Sequence, residues 1–331
     1  MVRNAMFLSA LVMVPSAVLP AAAAQRPRAV FTDPDKAGPD FAVQGEYVGK
    51  VKTEKGEMDC GAQVIALGNG RFRSVGYYGG LPGAGWNGKD KPVAEGQTRD
   101  GVTTLKAIDG EATATIKDSV MAVVDGNGQT LATLKRIVRK SPTLGKKPPE
   151  GAVVLFDGKT AENFKGGRMT EDGLLMEGAT SKQTFQSFSL HLEFRTPFMP
   201  YARGQERGNS GFYAQGRYET QILDSFGLEG LDNECGGIYE IARPTVNMCL
   251  PPLSWQTYDI EFTAAGYKDG KKVKNATLTV RHNGVLIHKD QEVPRATRAA
   301  PVAEGPEPGP VYLQDHGCPV RFRNIWVVEK K

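Results

Sequence analysis

Residues 277–288 read Thr-Leu-Thr-Val-Arg-His-Asn-Gly-Val-Leu-Ile-His. Asn283-Gly284 suits the tight two-residue turn that needs positive φ at both central positions, and the flanking β-branched residues suit extended backbone. The stretch predicts an antiparallel hairpin, residues 277–282 turning into 285–288. Segments of similar character surround it at 187–195, 211–215, 217–223, 255–263, 311–314 and 320–329. So many short strands with alternating polar and apolar faces predict two packed sheets, a jelly-roll sandwich. Residues 294–310, rich in Pro, Ala and Gly, read as an irregular surface loop.

Upstream, residues 39–140 alternate in the same way at 46–51, 62–67, 71–78, 112–116, 120–124 and 129–138. Turn chemistry separates them: Gly68-Asn69-Gly70, Gly79-Gly80-Leu81-Pro82-Gly83 and Asp125-Gly126-Asn127-Gly128. This predicts a small antiparallel β domain. A polar, Pro-rich run over 141–150 reads as an extended, exposed linker, and the sandwich occupies 151–331. Residues 25–38 read as a loose leader.

Composition agrees. The 331 residues are 40% hydrophobic and 24% charged, which is enough for a real core and excludes a disordered chain. The 39 Gly and 21 Pro favour turns over helices. A formal charge of +4 from 41 basic and 37 acidic residues, interspersed along the chain, argues against a nucleic-acid partner. The first residues carry a cationic Arg3, an apolar run over 5–19 and a small-residue site at Ala21–Ala24, so 1–24 reads as a cleavable signal peptide. The mature chain is then expected to be periplasmic or secreted, with no membrane association.

Export makes the four cysteines readable. Cys235 and Cys249 share one Gly/Pro-rich stretch, which predicts a local disulfide and leaves Cys60 and Cys318 as an interdomain pair; free buried thiols are the alternative reading. No spacing suits structural zinc, and there is no dinucleotide or phosphate loop. No cofactor is expected; Ca²⁺, found in lectin-type jelly rolls, is not indicated by any spacing.

The densest chemistry lies between Gly208 and Asp224. In a strand, Glu219 and Gln221 share a face, with Arg217 two residues before. Asp224 reaches that face only through a β-bulge at Ile222-Leu223. On a convex face this row is solvated charge; on a concave face it lines a sugar-sized cleft. A second cluster runs from Tyr312 to Pro319, with Gln314 and His316 at a strand end. His282 and His288 flank the hairpin and are expected to face solvent, whereas His191, between Leu190 and Leu192, reads as structural.

At these residues the chain resembles a family. Leu155-Phe-Asp-Gly-Lys159, Asn209-Ser-Gly-Phe-Tyr213, Gly216-Arg-Tyr-Glu-Thr-Gln-Ile-Leu-Asp224, Cys235-Gly-Gly-Ile-Tyr239, Trp255-Gln-Thr-Tyr-Asp259 and Tyr312-Leu-Gln-Asp-His-Gly317 resemble the 3-keto-disaccharide hydrolases. That family is also described as 3-keto-glucoside 1,2-lyases and 3-keto-2-hydroxy-glucal hydratases. The resemblance spans roughly residues 151–331 and implies a concanavalin A-like jelly roll acting on oxidised sugars. It implies Glu219, Asp224 and His316 as catalytic candidates, and Asn209, Tyr213, Arg217, Gln221, Tyr239 and Gln314 as substrate-binding candidates. A separate sugar 3-dehydrogenase would supply the ketone.

The string Glu219-x-Gln221-x-x-Asp224 is also similar to the Glu-x-Asp-x-x-Glu motif of laminarinase-type glycosidases, with an amide in the middle and a shorter last acid. Retaining glycosidases hold two carboxyls about 5–5.5 Å apart. A 3-keto sugar needs only one base, because the ketone acidifies the C2 proton. A non-catalytic carbohydrate-binding module is the reading from a different class, since the same fold serves lectins.

Overall fold

The computed structural model describes residues 29–54 and 56–330. The signal peptide expected over 1–24 lies outside the described residues. Eight antiparallel strands close into a barrel: Gly45–Thr53 (β1), Gly56–Gly68 (β2), Arg71–Tyr78 (β3), Val93–Arg99 (β4), Val102–Ala107 (β5), Thr113–Lys117 (β6), Val120–Val124 (β7) and Thr130–Ile137 (β8). β1 pairs with both β2 and β8, so no edge remains exposed. The sequence reading passed over β4 and β5 because Val93-Ala-Glu-Gly-Gln-Thr-Arg99 carries few apolar side chains. These strands pair by register rather than by a strong apolar face.

Fourteen further strands follow: Val153–Phe156 (β9), Phe164–Lys165 (β10), Leu175–Met176 (β11), Ala179–Phe185 (β12), Phe188–Arg195 (β13), Ser210–Ala214 (β14), Tyr218–Ile222 (β15), Gln256–Thr263 (β16), Gly266–Lys268 (β17), Lys271–Lys274 (β18), Ala276–His282 (β19), Val285–Val293 (β20), Gly309–Leu313 (β21) and Arg321–Glu329 (β22). One sheet has the order β10-β12-β21-β14-β15. The facing sheet runs β11-β22-β13-β16-β19-β20, with β9 added against β22. Asn283 and Gly284 turn β19 into β20 with φ of 50° and 80°, as their residue types predict. The molecule is all-β, with a barrel preceding a jelly-roll sandwich.

Alternation fixes what each face does. Leu190, Leu192 and Phe194 of β13 join Tyr258, Ile260 and Phe262 of β16 in the core, opposite Phe212, Ile222 and Leu313. Fully burying each such side chain contributes roughly 1.5–3 kcal/mol. The intervening residues His191, Glu193, Thr257 and Asp259 point to the other face of that sheet, and all but Asp259 are fully buried there.

The start of the expected linker lies over that face: Ser141 is buried and Thr143 and Leu144 are half-buried, while Pro142 and residues 145–150 are exposed, as expected. The Ser141 and Thr257 hydroxyls lie 2.6 Å apart, Thr143 Oγ1 donates to Asp259 Oδ2 at 2.7 Å, and the Gly145 amide donates to Glu193 Oε1 at 2.5 Å. Lys146 Nζ pairs with Asp259 Oδ1 at 3.0 Å, while the Lys146 carbonyl accepts from the Trp326 indole at 3.2 Å. Burial works to raise Glu193 and Asp259, but hydrogen bonds from His191, the linker and their other partners outweigh it and hold each at about 2. The polar residues that suggested exposure are the ones that sew the segment down.

The histidine readings also divide. His191 is structural, stacked on Trp326 with centroids 5.4 Å apart and bonded to Asp259 at 2.9 Å. His282 and His288, expected in solvent, are buried: His282 Nε2 meets Gln256 Oε1 at 3.0 Å, and His288 Nε2 donates to the Gly236 carbonyl at 2.7 Å. Even-numbered β19 residues face the core, so His282 follows Leu278 and Val280 inward.

All four cysteines are free thiols, so the expected Cys235–Cys249 bridge is not formed and Cys60 and Cys318 are not paired. Hydrogen bonds occupy the local pair instead: Cys235 Sγ lies 3.3 Å from the Tyr258 hydroxyl, and Cys249 Sγ donates to the Leu223 carbonyl at 3.5 Å. Cys60 belongs to the barrel interior, whereas Cys318 sits against the Glu206 carbonyl.

Barrel and sandwich share a junction. Phe198 is fully buried in the barrel's apolar cluster and forms a backbone bridge with Phe31, which ties down part of the expected loose leader. Arg207 reaches across, its Nη1 donating to the Ala66 carbonyl of β2 at 3.1 Å. A chain beginning at residue 151 loses the Thr143 and Gly145 hydrogen bonds to carboxylates, each worth about 1.5–3 kcal/mol. Its thermal midpoint should fall by on the order of 10 °C relative to a chain beginning at 139, which calorimetry would read. Equal midpoints would show the clamp to be inert.

Candidate functional site

The sandwich core takes one side of the β15–β14–β21 sheet, so its other side is free for chemistry. Phe212, Ala214, Tyr218, Ile222 and Leu313 point inward. Tyr213, Glu219, Gln221 and Gln314 therefore point outward, where they line one pocket of about 320 Å³. That is near the lower end of the roughly 300–1,000 Å³ usual for small-molecule sites.

Register sets the geometry. Tyr213 lies directly opposite Glu219, and the Tyr213 hydroxyl donates to Glu219 Oε2 at 2.8 Å. Gln314 Nε2 donates to the same Tyr213 oxygen at 3.0 Å. Gln314 is placed by its own amide, which extends the β21 pairing by donating to the Gly211 carbonyl at 2.9 Å. The Glu219 carboxyl lies over Gly211: a Cβ added there would come within 2.2 Å of Glu219 Oε1. Glycine is required at 211 for this close approach.

Glu219 is only 2% exposed. Burial pushes its carboxyl up to about 8; the Tyr213 hydroxyl pulls it down, and Glu240 adds a small upward push. Burial and the Glu219 charge in turn raise Tyr213, so the phenol stays a donor.

Two chain segments wall the pocket beyond the regular strands. The Tyr239 amide donates to the Glu219 carbonyl at 3.2 Å and Gly236–Gly237 pair with Gln221, which sets Tyr239 beside the edge of β15. Thr297 receives the Glu219 amide on its hydroxyl at 3.0 Å, and the next residues, Arg298 and Ala299, line the pocket. Arg298 also pairs with Glu240 at 3.1 Å. His316 stands exposed at the pocket wall, on a turn that Asp315 Oδ1 closes by accepting from the Gly317 amide at 2.9 Å.

Asn209 and Gln221 are held at the pocket by Gln205. Asn209 Nδ2 donates to the Gln205 carbonyl at 2.8 Å, and Gln221 Nε2 donates to Gln205 Oε1 at 3.1 Å. Their oxygens, Asn209 Oδ1 and Gln221 Oε1, are buried without a protein partner. Unsatisfied buried acceptors cost about 1–3 kcal/mol each, and a ligand rich in hydroxyl donors removes that cost.

The structure thus brings Glu219, His316, Asn209, Tyr213, Gln221, Tyr239 and Gln314 to one pocket. It places two expected residues elsewhere. No bulge returns Asp224 to the Glu219 face: β15 ends at Ile222, and Asp224 Oδ2 accepts from Arg207 Nε at 2.6 Å in a buried ion pair. Arg217 precedes the strand, and its guanidinium holds the Ala303 and Glu307 carbonyls at 2.7 and 2.8 Å, fastening the loop that carries Arg298. Sequence reasoning missed Gln205, Arg298 and Ala299. Gly211, a glycine inside a strand, carried a readable signal of close approach; Arg298, in a stretch that composition marks only as loop, carried none.

Residues 151–328 match the model of a domain family described as 3-keto-alpha-glucoside-1,2-lyase-like. Among solved structures, the chain is similar to a Parabacteroides distasonis protein provisionally named a glycosyl hydrolase, with 32% identity and a TM-score of 0.50 over 55% of this chain and 85% of that one. A second protein of that organism, named in the same way, is 22% identical, with a TM-score of 0.41 over 55% of this chain and 95% of its own. A comparison with curated proteins finds no match.

Two substitutions separate pocket from scaffold. Asp224→Asn strips a buried charge partner from Arg207 and should cost about 3–5 kcal/mol in a denaturant titration. Tyr213→Phe removes a donor to the Glu219 carboxylate, so the carboxyl should titrate above its present value of about 8, which ¹³C NMR of labelled glutamate would follow. A downward shift would contradict the direction assigned to that hydrogen bond.

Proposed function

The chain belongs, through residues 151–328, to the family of 3-keto-alpha-glucoside-1,2-lyase-like domains, and on that premise we propose that it is a carbohydrate-active enzyme cleaving 3-keto-glycosides by β-elimination. The observation that carries this reading is the single carboxyl group among the described residues lining the pocket, that of Glu219. A double-displacement glycosidase needs a second carboxyl about 5–5.5 Å from the first. Asp224, the residue that could have supplied it, is committed to Arg207.

Elimination asks for less. A ketone at C3 acidifies the C2 proton, and the Glu219 carboxylate removes it. The C2–H electrons pass into a C2–C3 enolate, which re-forms the ketone as the C1–O bond breaks and C1=C2 forms. His316 or the newly protonated Glu219 returns a proton to the departing oxygen. Water added across C1=C2 then completes net hydrolysis. Burial suits Glu219 to this role, since a base near pKa 8 has more driving force toward a carbon acid than an ordinary carboxylate. The Asn209 and Gln221 oxygens would accept from sugar hydroxyls, and Gln314 and Tyr239 would orient the ring. A pocket built only for binding has no need of a buried, perturbed acid, which weighs against a pure lectin role.

We further propose that the chain is exported through its first 24 residues, as the sequence pattern indicates, and that a separate sugar 3-dehydrogenase supplies the ketone. The protein should release aglycone from a 3-keto-glucoside and not from the unoxidised glucoside. Glu219→Gln should lower that rate by about 10²–10⁴ with substrate binding retained. Because the base works ionised, kcat/KM should climb with pH and level off above about 8. A profile that instead falls through that pH would make Glu219 the acid, and cleavage of the unoxidised glucoside at equal rate would remove the 3-keto requirement.

A further inference from the structure

We propose that the free end of the barrel is a binding cup for one small, uncharged, apolar molecule of the size of one or two aromatic rings. The barrel interior is filled unequally, and strand register shows how. Following β1, Tyr47 pairs with Ala62 near one end, whereas Val51 pairs with Met58 near the other. On β3, Phe72 meets Ala66 at the first end and Gly76 meets Ala62 further along, and β4 and β5 continue that direction with Ala94 opposite Ala107.

The first end is packed with Tyr47, Phe72, Leu105 and Ile116 and is corked by Phe198 and Leu253 of the sandwich. At the second end many inward positions are small, among them Cys60, Gly76, Ala94, Ala107, Ala112 and Ala132, and they alternate with larger apolar side chains such as Met121 and Leu134. The space they leave is a cavity of about 190 Å³. Its floor, including Cys60, Ala114 and Ala132, is buried, while Ala94, Ala107 and Ala112 at the rim are half-buried.

An eight-stranded barrel has an interior that side chains just fill, or that holds one small ligand. Here large side chains fill one half, whereas the other half mixes Met121, Leu134 and Val123 with Gly and Ala positions and is left incompletely filled. No charged side chain among the described residues lines the cavity, and Ser74 supplies one of its few polar groups. Water inside would find few partners, whereas an apolar cavity of about 150 Å³ accepts benzene. The cup shares no residue with the Glu219 pocket, so it stands or falls independently of the proposed reaction.

Toluene and indole, titrated into the full chain and followed by methyl NMR, are the probes. Either should bind saturably and shift the Ala107, Ala112 and Ala132 methyls. Occupancy should also slow modification of Cys60 by methyl methanethiosulfonate, read by peptide mass. Ala107→Leu and Ala112→Leu put a larger side chain at the rim and should each weaken binding by about tenfold or more, with an unchanged or raised thermal midpoint. Two rim variants and the Cys60 readout keep the test decisive if one variant misfolds. Absence of saturable binding by both probes, or binding that survives both substitutions, would overturn the proposal.

Discussion

The pocket depends on a cross-strand pair, Tyr213 opposite Glu219, standing on the face of a sheet whose other face is core. Sheet faces turned from a core are ordinarily wet, and a carboxylate there is ordinarily ionised. Tyr239, the Arg298 loop and the Gln205–Asn209 segment close over this one until Glu219 is almost entirely removed from solvent. Gly211 beneath it supplies the room. Each wall is tied to β15: the Tyr239 segment by backbone hydrogen bonds, the Arg298 loop through the Thr297 hydroxyl and the Gln205 segment through the Gln221 side chain, so strand and cover hold one another in place.

Much of this was legible because period 2 is a strict rule. Glu219 and Gln221 had to share a face, and His316 could join them only if the 311–314 strand ran close by, which β21 does through β14. The sandwich followed from turn residues such as Asn283-Gly284 and from alternation. What failed to show in the sequence was tertiary. Whether the chain bulges after Ile222 depends on Arg207, a residue seventeen positions earlier that captures Asp224. That the start of the Pro-rich run is anchored to the sheet depends on Asp259 and Glu193, more than forty residues away. Closure of the barrel was equally hidden, because β4 and β5 are polar strands that only their neighbours define.

Arg207 also explains why the two β units are not beads on a string. One guanidinium bonds the Asp224 carboxylate of the sandwich and the Ala66 carbonyl of the barrel. Phe198 is part of the sandwich by sequence and part of the barrel by burial. Polar and apolar ties therefore run through the same junction, and the clamp over residues 141–146 adds a third tie on the far sheet.

The buried proton of Glu219 sets reactivity against folding. In the unfolded chain this carboxyl loses its proton near 4.5, whereas in the native pocket it keeps the proton up to about 8. Below 4.5 both states are protonated and the group is neutral in the balance. As pH rises toward 8 the native state is increasingly penalised, because it must hold a proton the unfolded chain has released or bury a charge. The full penalty is on the order of 5 kcal/mol and is reached where the carboxylate becomes available as a base. The conditions that arm the pocket are thus those in which it contributes least to keeping the chain folded.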